Sequence, residues 1–66
     1  MEITINNKKV SLPEGATLHE ALEQEGIKPL GIATAVNNVV VTSNDRATHV
    51  LNNGDTVVII KAFHGG

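Results

Sequence analysis

The chain has 66 residues, 41% of them hydrophobic and 18% charged, with five Lys and Arg against seven Asp and Glu for a net charge of −2. That length holds one domain of modest stability, burying about 60% of its unfolded surface, and the apolar share excludes a disordered or solvating tail. Without excess positive charge the chain is unsuited to electrostatic capture of nucleic acid or an anionic membrane. Without cysteine it has no disulfides, thiolate nucleophiles or cysteine metal sites.

Ile3 and Ile5 alternate with Glu2, Thr4 and Asn6, the period of a strand with one apolar face. Asn6-Asn7-Lys8-Lys9 predicts a tight turn, because Asn tolerates left-handed backbone. Val10 and Leu12 then complete a hairpin that Pro13 stops by withdrawing a ladder donor. Thr17-Leu18-His19-Glu20 has capping-box spacing, and Leu18, Ala21 and Leu22 follow on one helical face. Gly26 supplies a left-handed stop, after which Ile27 folds back on the last turn. A helix this short does not hold alone, so it must lie on a sheet.

After the irregular Lys28-Pro29-Leu30-Gly31, extended character resumes from Ile32 to Asn37, and Asn37-Asn38 turns it into Val39-Val40-Val41. Thr42 to Asn53 is mixed, with Asp45 expected to cap a short turn containing Arg46 and Ala47, and Val50 and Leu51 to anchor the loop to the core. Asn53-Gly54-Asp55 is a strong turn signal before the β-branched run Thr56-Val57-Val58-Ile59-Ile60. A strand apolar on both sides belongs at the sheet centre. The helix covers one face, so the other either packs within the domain or is partly open for a partner. With so few residues for a second layer, partner contact is favoured.

The N-terminal segment lacks the pattern of an export signal, and the longest apolar run, Val57 to Ile60, is far short of the ~20 residues that cross a bilayer. A cytoplasmic protein is the expectation. His19, His49 and His64 share no metal-ligand spacing, so no metal is expected. No nucleophile, base and orienter set emerges, and no glycine-dense phosphate loop. With Phe63 as the single aromatic, the chain lacks a stacking platform for nucleic acid. Enzymatic activity is not expected. The end differs: Lys61-Ala62-Phe63-His64-Gly65-Gly66 leaves the predicted central strand, and its last two residues lack a Cβ and suit a narrow channel. A terminal carboxylate becomes an electrophile once its oxygen is converted to a leaving group, as by adenylation.

On Ala35-Val36-Asn37, on Asn53-Gly54-Asp55-Thr56-Val57 and on terminal Gly65-Gly66, the chain resembles over essentially its whole length the small sulfur carriers of thiamine biosynthesis, members of the ubiquitin-like β-grasp proteins. The resemblance implies an α+β fold: a mixed four- or five-stranded sheet, one short helix on one face, and residues 62–66 as a flexible tail on a single 1–66 domain. It implies no stably bound cofactor. An E1-like adenylyltransferase would use ATP to adenylate Gly66, and a cysteine-derived persulfide donor would then convert the acyl-adenylate to a thiocarboxylate. A thiazole synthase would take the sulfur while building the ring from a deoxyxylulose phosphate and a glycine-derived imine. Gly65 would permit entry, with His64 and Phe63 lining the neck of the tail. The expected partner face comprises Val58 and Ile60 with Ile3 or Ile5 from the neighbouring strand, and Lys61 and Arg46 at its rim.

Two positions depart from the family. Many members have tryptophan where this chain has Arg46, and a smaller or amide-bearing residue where it has His64. The alternatives are the small subunit of molybdopterin synthase, which is usually longer, a sulfur carrier of another pathway, and a protein-conjugating ubiquitin-like modifier. From a different class comes a non-catalytic β-grasp binding module, which needs no free Gly-Gly end.

Overall fold

Two Asn-Asn turns organise the sheet. In the computed structural model, which describes residues 1–61, Asn6 and Asn7 have φ of 49° and 68°, and Asn37 and Asn38 repeat those values. Successive positive φ marks the primed turns whose twist matches that of paired strands, and Asn tolerates it best after Gly. The first turn joins β1 (Glu2–Ile5) to β2 (Lys8–Ser11), and the second joins β3 (Ile32–Val36) to β4 (Val39–Val41). The first is tighter than its four-residue signal, since Lys8 and Lys9 already belong to β2.

Between the hairpins runs β5 (Thr56–Lys61), parallel to β1 and antiparallel to β3, so the strand order is β2-β1-β5-β3-β4. The all-apolar run is therefore central, as expected. Helix α1 (Leu18–Gln24) covers one face of this mixed sheet, which is the ubiquitin-like β-grasp arrangement. Its capping box is complete: Glu20 N donates to Thr17 Oγ1 at 3.2 Å, and Thr17 N donates to Glu20 Oε1 at 2.9 Å. At the other end Gly26 has φ 68°, Gly26 N donates to Glu23 O, and Ile27 N donates to Leu22 O. Those two bonds are the Schellman closure, with Ile27 packed against the core. Thr17→Ala removes one capping acceptor and is expected to lower stability by about 1 kcal/mol, read as a shift in the urea midpoint at constant slope.

Ile3, Leu18, Leu22, Leu51 and Val57 fill the space between helix and sheet, each at most 2% exposed. Asp45 ends the short 3-10 segment Ser43–Asp45 and, as expected, opens the turn that contains Arg46 and Ala47, its carbonyl accepting from Thr48 N and His49 N. Its side chain accepts from Thr42 Oγ1 instead of capping that turn. One loop expectation is corrected. Leu51 anchors the long loop, whereas Val50 is 52% exposed, its backbone bridging to Thr17 while its side chain faces out. The backbone of that loop is also tied to the helix entrance, with Leu18 N donating to His49 O and His19 N to Arg46 O.

The residues that carry the family resemblance meet in one hydrogen-bonded knot. Asn37 Nδ2 donates to Asp55 Oδ1 at 2.9 Å, and Asn37 Oδ1 accepts from Thr56 N at 2.9 Å. Asp55 Oδ2 accepts from Asn52 N at 2.8 Å, and Gly54, at φ 88°, donates its N–H to Glu2 O. The knot fixes where β5 begins relative to β1 and β3. Asn6 steadies it further along, its side chain both accepting from Ile59 N and donating to Ile59 O. These polar residues set the register of the strand that precedes 62–66.

Candidate functional site: an open sheet face and the strand leading to the tail

The register of β5 sorts its side chains between two environments. Ile5, Val57 and Val36 stand in line on the helix face, and Thr34 and Ile59 stand in the next row. On the opposite face Val58 pairs with Ala35, which pairs in turn with Val40, and Ile60 pairs with Ala33. Val58 is 37% exposed, Ile60 63% and Val40 72%. With alanines on β3 between larger side chains on β4 and β5, the open face is a shallow apolar trough. Apolar surface of this kind, contiguous across three strands and with no layer over it, marks an interaction site more often than a scatter of single exposed residues does.

Four expected interface residues lie elsewhere. Ile3 and Ile5 are 1% and 6% exposed and belong to the core. The parallel pairing of Ile5 with Val57 puts them under the helix rather than beside Val58. Alternation puts Lys61 on the helix side of the sheet, with Val57 and Ile59, where it lines a groove formed by Gly26, Ile27, Lys28, Leu30, Gly31 and Ile32. It is not a rim residue of the Val58 face.

Arg46 is the fourth. Instead of a solvated rim contact it is 4% exposed. Nε donates to Thr34 Oγ1 at 3.1 Å, Nη1 to Pro29 O at 2.9 Å and Nη2 to Ile32 O at 2.9 Å. Thr34 Oγ1 in turn donates to Val41 O at 2.8 Å. The fork of the guanidinium thus holds the segment between α1 and β3 onto the edge of the sheet. Among the described residues no carboxylate lies within ion-pair distance of it. Sequence reasoning missed this clasp, and the family's tryptophan at that position was the available signal: a site that takes a large flat side chain is one that packs.

Phe63, His64, Gly65 and Gly66 lie outside the described residues, which end at Lys61 of β5. Among the described residues no group of three or more His, Asp or Glu is placed to hold a metal ion. His19 instead sits 3.3 Å from Glu23, one helical turn on. No helix of the described residues is long and apolar enough to cross a membrane.

The chain matches the ThiS family over residues 1–66. It belongs to that family. Sulfur carrier protein ThiS of Escherichia coli (strain K12) is 32% identical over 66 residues, covering all of both chains. The crystal structure of a thiamine biosynthesis protein (ThiS) from Geobacter metallireducens superposes with a TM-score of 0.82 at 22% identity, covering all of this chain and 99% of that one. An NMR solution structure of a thiamine biosynthesis protein from the same organism gives 0.76 at 22% identity, covering 88% of that chain. The structural likeness establishes the fold, and the family match extends through Gly65-Gly66. The motif residues Asn37, Gly54 and Asp55 fix the register of β5 against β1 and β3.

Proposed function

We propose that this protein is a sulfur carrier of thiamine biosynthesis, acted on by partner enzymes in the cytoplasm rather than being an enzyme itself. The observation that carries the reading is a full-length ThiS-family match that includes Gly65-Gly66, at the end of a domain whose central strand leads into them. Residues 1–61 would serve as the docking body and residues 62–66 as the part delivered to an active site.

The chemistry follows from the carboxylate. One Gly66 oxygen attacks the α-phosphorus of ATP in the activating enzyme of ThiF type, pyrophosphate leaves, and the acyl carbon now carries AMP as leaving group. The terminal sulfur of a persulfide attacks that carbon and expels AMP, and a thiol then cleaves the S–S bond to leave a thiocarboxylate. The thiocarboxylate sulfur is a nucleophile for a carbonyl carbon of the substrate of a thiazole synthase of ThiG type. The acyl group then passes from sulfur to that carbonyl's oxygen, and cleavage of the substrate C–O bond leaves sulfur on the substrate and a carboxylate on Gly66. Gly65 keeps the approach narrow, with His64 and Phe63 behind it.

Both enzymes must bind the same body in turn, so its contacts have to be reversible. The Val58, Ile60, Ala33, Ala35 and Val40 face suits that: apolar enough to exclude water, shallow enough to release. Ile60→Asp is expected to weaken association with the activating enzyme by about 10- to 100-fold, while changing folding stability by less than about 1 kcal/mol because the side chain is 63% exposed. Titration calorimetry set beside urea unfolding separates the two. Parallel losses would place Ile60 in the core instead.

Intact mass spectrometry tests the function. Incubated with ATP, the activating enzyme and a persulfide source, the chain should exchange one oxygen for sulfur at Gly66, and thiazole synthase should reverse the exchange. Sulfur gained but refused by thiazole synthase would redirect the carrier to another pathway. No gain at all would reject the reading.

A further inference from the structure

The first residue of each Asn-Asn turn reaches past its own hairpin to the central strand. Asn37 holds the start of β5 from the β3 side, its Oδ1 accepting from Thr56 N at 2.9 Å. Asn6 holds the strand further along from the β1 side, where Nδ2 donates to Ile59 O at 3.2 Å and Oδ1 accepts from Ile59 N at 2.8 Å. Both residues have φ of 49°, so each combines a left-handed turn with a carboxamide directed at β5.

The Asn6 contact stands where strand pairing runs out. Along the edge of β5 that faces β1, Asp55 O accepts from Thr4 N at 3.0 Å and Val57 O from Asn6 N at 2.9 Å. Ile59 is next in that alternating series. The β1 pairing, however, ends with Ile5 opposite Val57, because the chain leaves at Asn6 for β2. A primary carboxamide presents a donor and an acceptor side by side, as the N–H and C=O of one strand residue do. Asn6 thereby supplies the rung that β1 no longer can. On its other edge β5 is paired with β3 as far as Lys61 opposite Ile32. Without the Asn6 rung, Ile59–Lys61 would be held from one side alone.

Ile59 lies between Val58 and Ile60, the two β5 side chains of the open face. The backbone that Asn6 fixes is therefore the backbone that sets their spacing and direction. Resting on the carrier reading above, we propose that Asn6 is a positioning residue for docking. By holding Ile59 it keeps Val58 and Ile60 in the arrangement the activating enzyme binds, before that enzyme arrives. A strand end that samples other arrangements binds more weakly in proportion to the time spent in the competent one. Docking restores the order, so the loss falls on affinity and not on the chemical step.

Asn6→Gly removes the carboxamide while keeping a residue at ease at φ 49° and the backbone donor to Val57 O. Asn7→Gly makes the same change at the turn's other left-handed residue and leaves the rung in place, so comparing the two cancels the effect of glycine on the turn. In the free chains, hydrogen exchange at Ile59 and Ile60 should quicken in Asn6→Gly and not in Asn7→Gly, with Ala21 and Leu22 alike in both. Titration calorimetry with the activating enzyme should give Asn6→Gly an affinity about 5- to 20-fold below that of Asn7→Gly, the scale of one or two exposed hydrogen bonds. Sulfur loading at saturating carrier should run at rates within about twofold of each other. Equal affinities for the two variants would overturn the docking role, and so would a saturated loading rate that falls while affinity holds. If the unsubstituted chain itself is neither bound nor loaded, the carrier reading fails and the docking role fails with it.

Discussion

A chain ending at Gly65 is expected to lose ATP-dependent sulfur loading, by well over 100-fold, with its unfolding midpoint unchanged. Removing one residue withdraws the carboxylate by about 3.5 Å. Attack on phosphorus needs the reacting atoms within about 3–3.5 Å and aligned, and a misplacement of ~1 Å already slows such steps on the order of 100-fold. Shortening a tail delivered into a fixed site therefore acts almost wholly on the chemical step. Stability should be unchanged because, among the described residues, the buried core runs from Ile3 to Val57, well before the deleted residue. A chain with Gly66 amidated separates length from chemistry: it keeps the reach but has no carboxylate oxygen to attack with, and it should be equally inert. Intact mass after incubation with the activating enzyme, read beside urea unfolding, checks both. A β-grasp binding module would keep its partner affinity in either chain. Sulfur loading of the amidated chain would refute the carrier assignment.

The frame of this fold is legible in the sequence wherever a signal is local. The two Asn-Asn pairs, the Thr17 and Glu20 capping box, the Gly26 stop and the apolar run Val57 to Ile60 within β5 each act within a few residues, and each appears where the pattern puts it. The site is less legible because its parts are chosen by pairing across the sheet. Ile3 and Ile5 announce one apolar face, but only the pairing of Ile5 with Val57 decides that this face lies under the helix. A slip of one residue would have brought them beside Val58. Lys61 follows Ile60 in the chain yet faces the other way, which sequence adjacency hides and alternation explains. Arg46 reaches acceptors 12 to 17 residues distant, so nothing in Asp45-Arg46-Ala47 indicates burial.

Arg46→Ala should destabilise the protein by about 2–4 kcal/mol, more than any surface substitution and comparable to truncating a core leucine. Two losses combine. The acceptors Pro29 O, Ile32 O and Thr34 Oγ1 each lose a charge-assisted donor, and the space left by the stem is a cavity in a side chain site only 4% exposed. Replacement by methionine separates them: it refills much of the cavity and removes the expense of burying a cation with no carboxylate beside it, so the loss should be smaller than for alanine. Lysine should not rescue. Its ammonium is more strongly hydrated and lacks the planar fork that reaches three acceptors at once, so Arg46→Lys keeps the desolvation penalty while losing bonds. The expected order of urea midpoints is arginine, methionine, then lysine and alanine. Because Arg46 holds Pro29 and Ile32, the loosened segment is the wall of the Leu30 groove and the strand start that pairs with Lys61. Hydrogen exchange should therefore quicken first at Ile32 and Lys61, before the amides of β1 and α1. Uniform quickening across the sheet would mean that the guanidinium supports the whole core and not that edge.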